Sequence, residues 1–262
     1  MDKKRNGSRK LMRSFTIWNN LAAYSGPSFA TKRHSHFFAQ LCLANQHPLR
    51  LRGRNGVWRE YQAAYIPSGV SHETEQSDYP FTLILMDPVT VASRIFQGHT
   101  IANGEPAVDV GDLLNSRAIQ DLFAILSAPG IQSRNDILQI LGTFEKPVSN
   151  ARIDPRIASS LEYISNAEDQ VSLKALASRA ELSPGRFRHL FREQTGIAFS
   201  GYRLWVKTRK AITFLGQRPE LIDAAFEGGF SDQAHFSRIF RRSFGMAPSE
   251  LRKNSLFRVQ IF

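Results

Sequence analysis

Cysteine is almost missing from this 262-residue chain, in which Cys42 is the only one. One thiol cannot close an intrachain disulfide, so the fold must rest on its apolar core, as in proteins made in a reducing compartment. Long apolar runs are missing as well. No stretch approaches the roughly 20 residues that a membrane helix needs. The segment SFTIWNNLAAYSG near the start is too polar and too aromatic for the centre of a signal peptide. These absences predict a cytoplasmic protein that makes no membrane contact. Acidic charge is scarce in two places only. Residues 151–262 hold 18 Lys and Arg against 11 Asp and Glu, and residues 1–14 hold six against one. Residues 15–150, with ten against 11, are nearly balanced. Basic charge sorted in this way suits a chain that presents one half to a polyanion.

The most informative run is Gly228 to Leu251, GGFSDQAHFSRIFRRSFGMAPSEL. Phe236, Ile239 and Phe240 recur at i, i+3 and i+4, one face of a helix. The opposite face carries Gln233, Ala234, Ser237, Arg238 and Arg241 and no carboxylate. Ser231 or Asp232 is placed to cap the helix, and Gly228-Gly229 supplies a tight turn before it. Leu221, Ile222, Ala225 and Phe226 give a short preceding helix with its own apolar face. A helix, a glycine turn and a capped second helix make a helix-turn-helix.

The pattern occurs twice. Leu173, Ala177, Ala180 and Leu182 match Leu221, Ala225, Gly228 and Phe230 at an offset of 48. Phe187, Leu190, Phe191, Arg192 and Gly196 match Phe236, Ile239, Phe240, Arg241 and Gly245 at 49, so the second turn is one residue longer. In the first copy Ser183-Pro184 reads as a cap followed by proline at the first helical position, with Leu182 and Phe187 spaced for a hydrophobic staple. Its outward residues are Gly185, Arg186, Arg188, His189 and Arg192. Between the copies, Tyr202 to Leu215 reads as one long helix, buried through Leu204, Trp205, Thr208, Ala211, Ile212 and Leu215. Arg188 and Arg238 suit bidentate contacts to guanine and Gln233 suits adenine, while Arg186, Arg192, Arg241 and Arg242 suit phosphates.

Residues 156–253 resemble the DNA-binding domain of the AraC/XylS family of bacterial transcription regulators. The matching stretches are SLKALASRAELSPGRFRHLFREQTGIAFSGYRLWVKTRKA and LIDAAFEGGFSDQAHFSRIFRRSFGMAPSELR. The resemblance implies a sequence-specific regulator that binds double-stranded DNA, acts with RNA polymerase, and carries an N-terminal domain for a small-molecule effector, a homodimer contact, or both.

From Phe15 to Pro88 the texture is β: FTIW, FFAQLCLA, LRLRG, QAAYI and FTLILMD, broken by Gly, Pro, Asn and Ser. This spacing predicts a small barrel or sandwich. A strand through 34–42 would put His34, His36, Phe38, Gln40 and Cys42 on one face. H-x-H followed by Pro67-x-Gly69-x-x-His72 resembles the two motifs of the cupin barrel, with Gln40 where cupins carry a metal-binding Glu and Gln76 where they carry Asn. His34, His36, Gln40 and His72 could therefore hold a divalent metal in an enzyme. Buried histidines more often serve as hydrogen-bonding partners. That balance predicts no enzyme, no metal and no cofactor, with His34, His36, Phe38, Gln40 and His72 as an effector pocket that Tyr65 and Trp58 also line.

Leu114, Ile119, Leu122, Phe123 and Leu126, then Ile137, Leu138, Ile140 and Leu141, predict two amphipathic helices broken at Ala128-Pro129-Gly130. An antiparallel pair after a sensor barrel resembles the family's dimerisation element. The expected architecture is α+β. It comprises a disordered basic arm at 1–14, a cupin-like sensor and dimerisation domain at 15–144, and a linker at 145–155. The double helix-turn-helix domain follows at 156–254, with a tail at 255–262.

Overall fold

The structure is a computed structural model that describes residues 14–18, 21–28, 30–87, 101, 104–112, 114, 116–127, 134–142, 153–167, 171–218, 220–245, 247–249 and 259–261. The arm before Ser14, the Ala128-Pro129-Gly130 break and most of the linker lie outside these residues. The chain is α+β, as expected. Strands β1 (Ser14–Ile17), β2 (Leu21–Ser28), β3 (Ala39–Ala44), β4 (Leu49–Arg52), β5 (Trp58–Tyr61), β6 (Ala63–Ile66), β7 (Glu73–Thr74), β8 (Ser77–Met86) and β9 (Val108–Asp109) come first. Helices α1 (Ser116–Ser127), α2 (Arg134–Gly142), α3 (Pro155–Asn166), α4 (Leu173–Arg179) and α5 (Pro184–Thr195) follow. Then come α6 (Phe199–Gln217), α7 (Leu221–Glu227), α8 (Gln233–Phe244) and a last strand, β10 (Val259–Ile261).

The strands form two sheets, ordered β10-β1-β2-β8-β3-β6-β9 and β5-β4-β7. Among the described residues no pairing joins the two, so the expected barrel is found as an open two-sheet arrangement. The large sheet is buried on both faces, and the period of two decides which residue goes where. Tyr24, Cys42, Ala44, Ile66, Phe81 and Leu83 share a core with Leu49, Leu51 and Tyr61 of the small sheet. Their neighbours Ala23, Ala39, Leu41, Leu43, Tyr65 and Ile84 share the other core with Leu122, Phe123, Leu126, Ile137 and Leu141 of α1 and α2. Each such fully buried aliphatic side chain contributes about 1.5–3 kcal/mol. The apolar faces of the helix pair are therefore spent on their own sheet.

Two expectations about the ends need correction. The strand expected through 34–42 begins only at Ala39; before it, His34 makes an isolated antiparallel bridge to His72. The residues expected as a tail return to the N-terminal sheet, where β10 pairs in parallel with β1, Phe15 opposite Val259.

The helical half follows its caps. Asp154, Ser172, Ser183 and Asp232 accept from Arg156, Ala175, Arg186 and His235 backbone N–H groups at the starts of α3, α4, α5 and α8. At Asp232 the carboxyl is held below its ordinary range, first by that backbone N–H and then by Ser231, whose hydroxyl donates to it across 3.0 Å. Helix α6 is longer than its apolar period predicts, 19 residues, or about 28 Å at the α-helical rise. Tyr202, Trp205, Val206, Thr208, Ala211 and Ile212 are its buried face, whereas Leu204 and Leu215 are half-buried. On α7 the expected apolar face is only partly used: Ala224 and Ala225 are buried, but Ile222 is 50% and Phe226 61% exposed.

Candidate nucleic-acid interface

The sequence repeat is a repeat of backbone hydrogen bonds. In the first turn Ala180 N–H donates to Leu176, Glu181 to Ser178 and Leu182 to Ala177. In the second, Gly228 donates to Ala224, Gly229 to Phe226 and Phe230 to Ala225, each 48 residues on. Beyond the turn the offset becomes 49: Ser183 and Asp232 cap the second helices, and Gly196 and Gly245 end them at φ +76° and +70°. Ser231 is the inserted residue. Where Gly229 takes φ +71°, the first copy has Glu181 at +54°, a left-handed non-glycine residue.

Both second helices turn their aromatic residues inward. Phe187 and Phe191 of α5 are fully buried, as are Phe236 and Phe240 of α8. The expected DNA-facing residues point away from that core. Gly185, Arg186, Arg188, His189 and Arg192 are exposed on α5. On α8, Gln233, Ala234, Arg238 and Arg241 are exposed and Ser237 is half-exposed. Among the described residues no salt bridge ties up any of these arginines. Lys207 of α6 donates to the carbonyl of Gly229 across 2.6 Å, fixing the second turn to the long helix. A Cβ at Gly228 would come within 2.7 Å of the Lys207 carbonyl, so this turn packs backbone against backbone.

The residues expected to form an effector pocket are brought together, but against one another. The turn Pro67–Val70, with Gly69 at φ +80°, docks on the preceding segment as Gly69 N–H donates to His36 and Ser68 Oγ to Phe37. His72 follows it, and its ring lies 4.3 Å from that of His34 and 4.9 Å from that of His36, centroid to centroid. His36 stacks on Phe38 at 3.9 Å and meets Gln40 Oε1 through Nε2 at 2.9 Å. Gln40 in turn donates to Cys42 Sγ. Burial lowers all three imidazoles, His36 to about 3 with help from His34, and His72 well below the ordinary value. Burial also pushes the Cys42 thiol up to about 12. Tyr65 and Trp58 do not join them. Tyr65 faces the helix pair, and Trp58 lies on the outer side of the small sheet beneath the Arg52 guanidinium, 4.6 Å from its ring centre.

A contact between the halves was not legible in the sequence. Phe38 meets Trp205 of α6 at 5.0 Å and Phe244 of α8 at 5.3 Å. Tyr202 donates to Asp87. Gly201 and Gly245 are where the approach is closest: a Cβ there would lie 2.6 Å from the Phe37 ring and 2.7 Å from Thr31. An isolated glycine inside a helical pattern, as at 201, was the one available signal.

A tandem of two capped helix-turn-helix units presenting arginine faces defines a DNA-binding domain. Residues 176–254 match the family profile described as "Helix-turn-helix domain". Over 103 residues the chain is 34% identical to the arabinose operon regulatory protein of Escherichia coli (strain K12), covering 38% of this chain and 35% of that one. It is 31% identical over 144 residues to the HTH-type transcriptional regulator GlxA of Rhizobium meliloti, covering 53% and 42%. These matches span well under half the length of either relative. Among solved structures, ToxT from Vibrio cholerae superposes with a TM-score of 0.57 at 12% identity, over 88% of this chain and 97% of that one. Unsaturated fatty acid bound ToxT gives 0.52 at 13% identity, over 88% and 93%. Through this C-terminal part the chain is similar to transcription regulators of the AraC type. No described helix is long and apolar enough to cross a membrane.

Proposed function

We propose that the whole chain is a sequence-specific, DNA-binding transcription regulator of the cytoplasm. Residues 156–254 bind the promoter or operator, and residues 15–144 form a cupin-like unit that senses a small molecule and pairs two copies. The carrying observation is the duplicated hydrogen-bonded turn followed each time by a capped helix with an exposed basic face. B-DNA's major groove admits one such helix, and two in one chain read two segments. Arg188, His189, Gln233 and Arg238 are assigned to base edges, and Arg186, Arg192 and Arg241 to phosphates. Gly185, Ala234 and Ser237 allow close approach. RNA polymerase is the expected partner at the promoter. The sensing role is supported by the ToxT fold, one of whose structures holds an unsaturated fatty acid.

Footprinting of the full chain on sites selected from a random DNA pool tests this reading. The expected result is a protected site whose affinity falls about 10³-fold or more between roughly 50 and 200 mM salt, through counterion release. Absence of a preferred site, or affinity indifferent to salt, would overturn it.

A further inference from the structure

We propose that the pocket beside α6, where the end of α3 meets the turn of the second helix-turn-helix, binds one phosphate-type oxyanion through Arg203 and Lys207. Arg203, Lys207 and Lys210 stand at i, i+4 and i+7 of α6, which puts them on one stripe of that helix. All three line a cavity of about 60 Å³ together with Ala167, Glu227 and Gly229. Lys210 donates to the Ala167 carbonyl at the end of α3, and Lys207 to the Gly229 carbonyl in the second turn, each across 2.6 Å. The stripe is thus tied to both walls of the pocket. Next to Gly229 the wall is backbone, since a Cβ at Gly228 would meet the Lys207 carbonyl at 2.7 Å and the Ala211 methyl at 2.8 Å.

The charge in this lining does not balance. Three cations face the single carboxylate of Glu227. Among the described residues no carboxylate forms a salt bridge with Lys207. Loss of water lowers its ammonium below the ordinary lysine value, and the neighbouring Arg203 lowers it further. An ammonium carries three hydrogens, and the Gly229 carbonyl accepts only one of them. An anion in the pocket accepts the others and relieves the repulsion between Lys207 and Arg203.

The size and chemistry of the pocket narrow the choice of anion. Liquid water occupies about 30 Å³ per molecule, so the cavity has room for one compact oxyanion and not for a nucleobase or an acyl chain. Ile164 and Val206, both buried, also line it, and an apolar lining weakens the screening of charge. The planar fork of arginine suits two oxygens of a phosphate, and a lysine adds a point charge at a third. Free phosphate and a phosphodiester of the DNA backbone share this chemistry. The stripe lies midway along α6, between the two readers, where the backbone joining two major-groove segments would pass. That second source rests on the DNA-binding reading above; the oxyanion site does not.

The test uses the full chain in a buffer free of phosphate and sulfate, at constant ionic strength in sodium chloride. Phosphorus NMR of added inorganic phosphate should show one saturable equivalent. Lys207→Gln and Arg203→Gln, each checked for native circular dichroism, should weaken it about tenfold. Arg218→Gln removes the same charge from the exposed end of α6 and should change it less than about twofold. Glu227→Gln should strengthen it about two- to threefold, a gain that unfolding cannot imitate. If the backbone is the only source, inorganic phosphate will not bind. Lys207→Gln will then lower affinity for the selected DNA about tenfold on every sequence and reduce the salt slope by about one, while Arg218→Gln will not. Phosphate binding that the Lys207 and Arg203 variants leave unchanged would overturn the site. So would a chain that binds no phosphate and whose DNA affinity responds alike to Lys207→Gln and Arg218→Gln. A chain that selects no DNA would overturn the regulator reading, and the phosphate titration alone would then decide the site.

Discussion

Tyr202 on the long helix donates a hydrogen bond to Asp87 at the end of β8, oxygen to oxygen 3.3 Å, across the boundary between the two halves. Both residues are buried, Tyr202 at 1% and Asp87 at 2% exposure, and Ser165 lies 3.4 Å from the same phenol. Together with Phe38–Trp205 and Phe38–Phe244 this makes the two halves one packed body over this face. Tyr202→Phe keeps the ring and removes the bond, so it should lower stability by about 1 kcal/mol. Urea unfolding of the two proteins measures it. No change in midpoint would mean that the bond contributes nothing to docking.

Burial also sets how the fold responds to alkali. Tyr61, Tyr65 and Tyr202 all hold their protons above the ordinary 10.0, chiefly because burial opposes the phenolate, and Tyr61 is pushed up to about 12. Between the two values the unfolded chain has released protons that the folded chain retains, so stability is full below about pH 10 and falls as pH rises beyond it. Absorbance at the phenolate band should show these three tyrosines ionising only as the fold is lost. Reversible titration of all six tyrosines near 10.0 with native circular dichroism would contradict the assigned burial.

Much of the helical half was legible because its signals are local. Caps, turns and the i, i+3, i+4 stripe each lie within a few residues, and a duplicated register checks one copy against the other. What failed to read was non-local. Nothing near residues 34–38 in the chain shows that Phe38 will meet Trp205, or that His34 will lie against Gly245. Trp58 and Tyr65 were grouped with Phe38 as pocket aromatics because all three sit in β texture. Which face each takes depends on strand ends that the pattern does not fix to the residue. Residues 259–261 showed no period long enough to be read, and their pairing with β1 is an edge addition set by the partner strand.

Glu181 offers a clean test of the repeat. It occupies the left-handed position that Gly229 fills in the second copy, at φ +54° against +71°. A side chain there costs about 1–2 kcal/mol, part of which glycine gives back through its greater freedom when unfolded. Glu181→Gly should therefore stabilise the chain by about 0.5–1 kcal/mol. Gly229→Ala should destabilise it by at least as much. If both substitutions act in the same direction, the two turns are not equivalent.

The helix pair separates folding from pairing of copies. Leu122 is fully buried and Leu126 3% exposed, both against the sheet, so charging either would unfold the layer instead of reporting on a dimer. Leu122→Ala should cost about 2–5 kcal/mol whatever the oligomeric state. The outward groove between α1 and α2 carries Ala124, Ile125, Gln139 and Ile140, and this is where pairing is expected. Ala124→Arg should leave the unfolding midpoint within about 0.5 kcal/mol, as surface changes do, while shifting sedimentation toward monomer. A dimer that survives Ala124→Arg unchanged would remove this groove as the contact.

Helices α5 and α8 are carried by a single α6 of 19 residues, about 28 Å long. Successive major-groove segments on one side of B-DNA recur about every 34 Å. Because α6 is fixed to the second turn through Lys207 and Gly228, it can hold the readers on one side of the duplex at nearly that separation. The exposed residues of the two differ, Arg188 and His189 on α5 against Gln233 and Arg238 on α8, so one chain should protect an asymmetric site of about two turns. Arg188→Ala should relax base preference at one end and Arg238→Ala at the other, each by about 1–3 kcal/mol. Arg192→Ala, with its side chain a turn farther along α5, should weaken all sequences alike and reduce the salt slope by about one. Selection from a random DNA pool with each variant resolves these outcomes position by position. Loss of preference at the same bases in Arg188→Ala and Arg238→Ala would mean that only one of the two helices reads sequence.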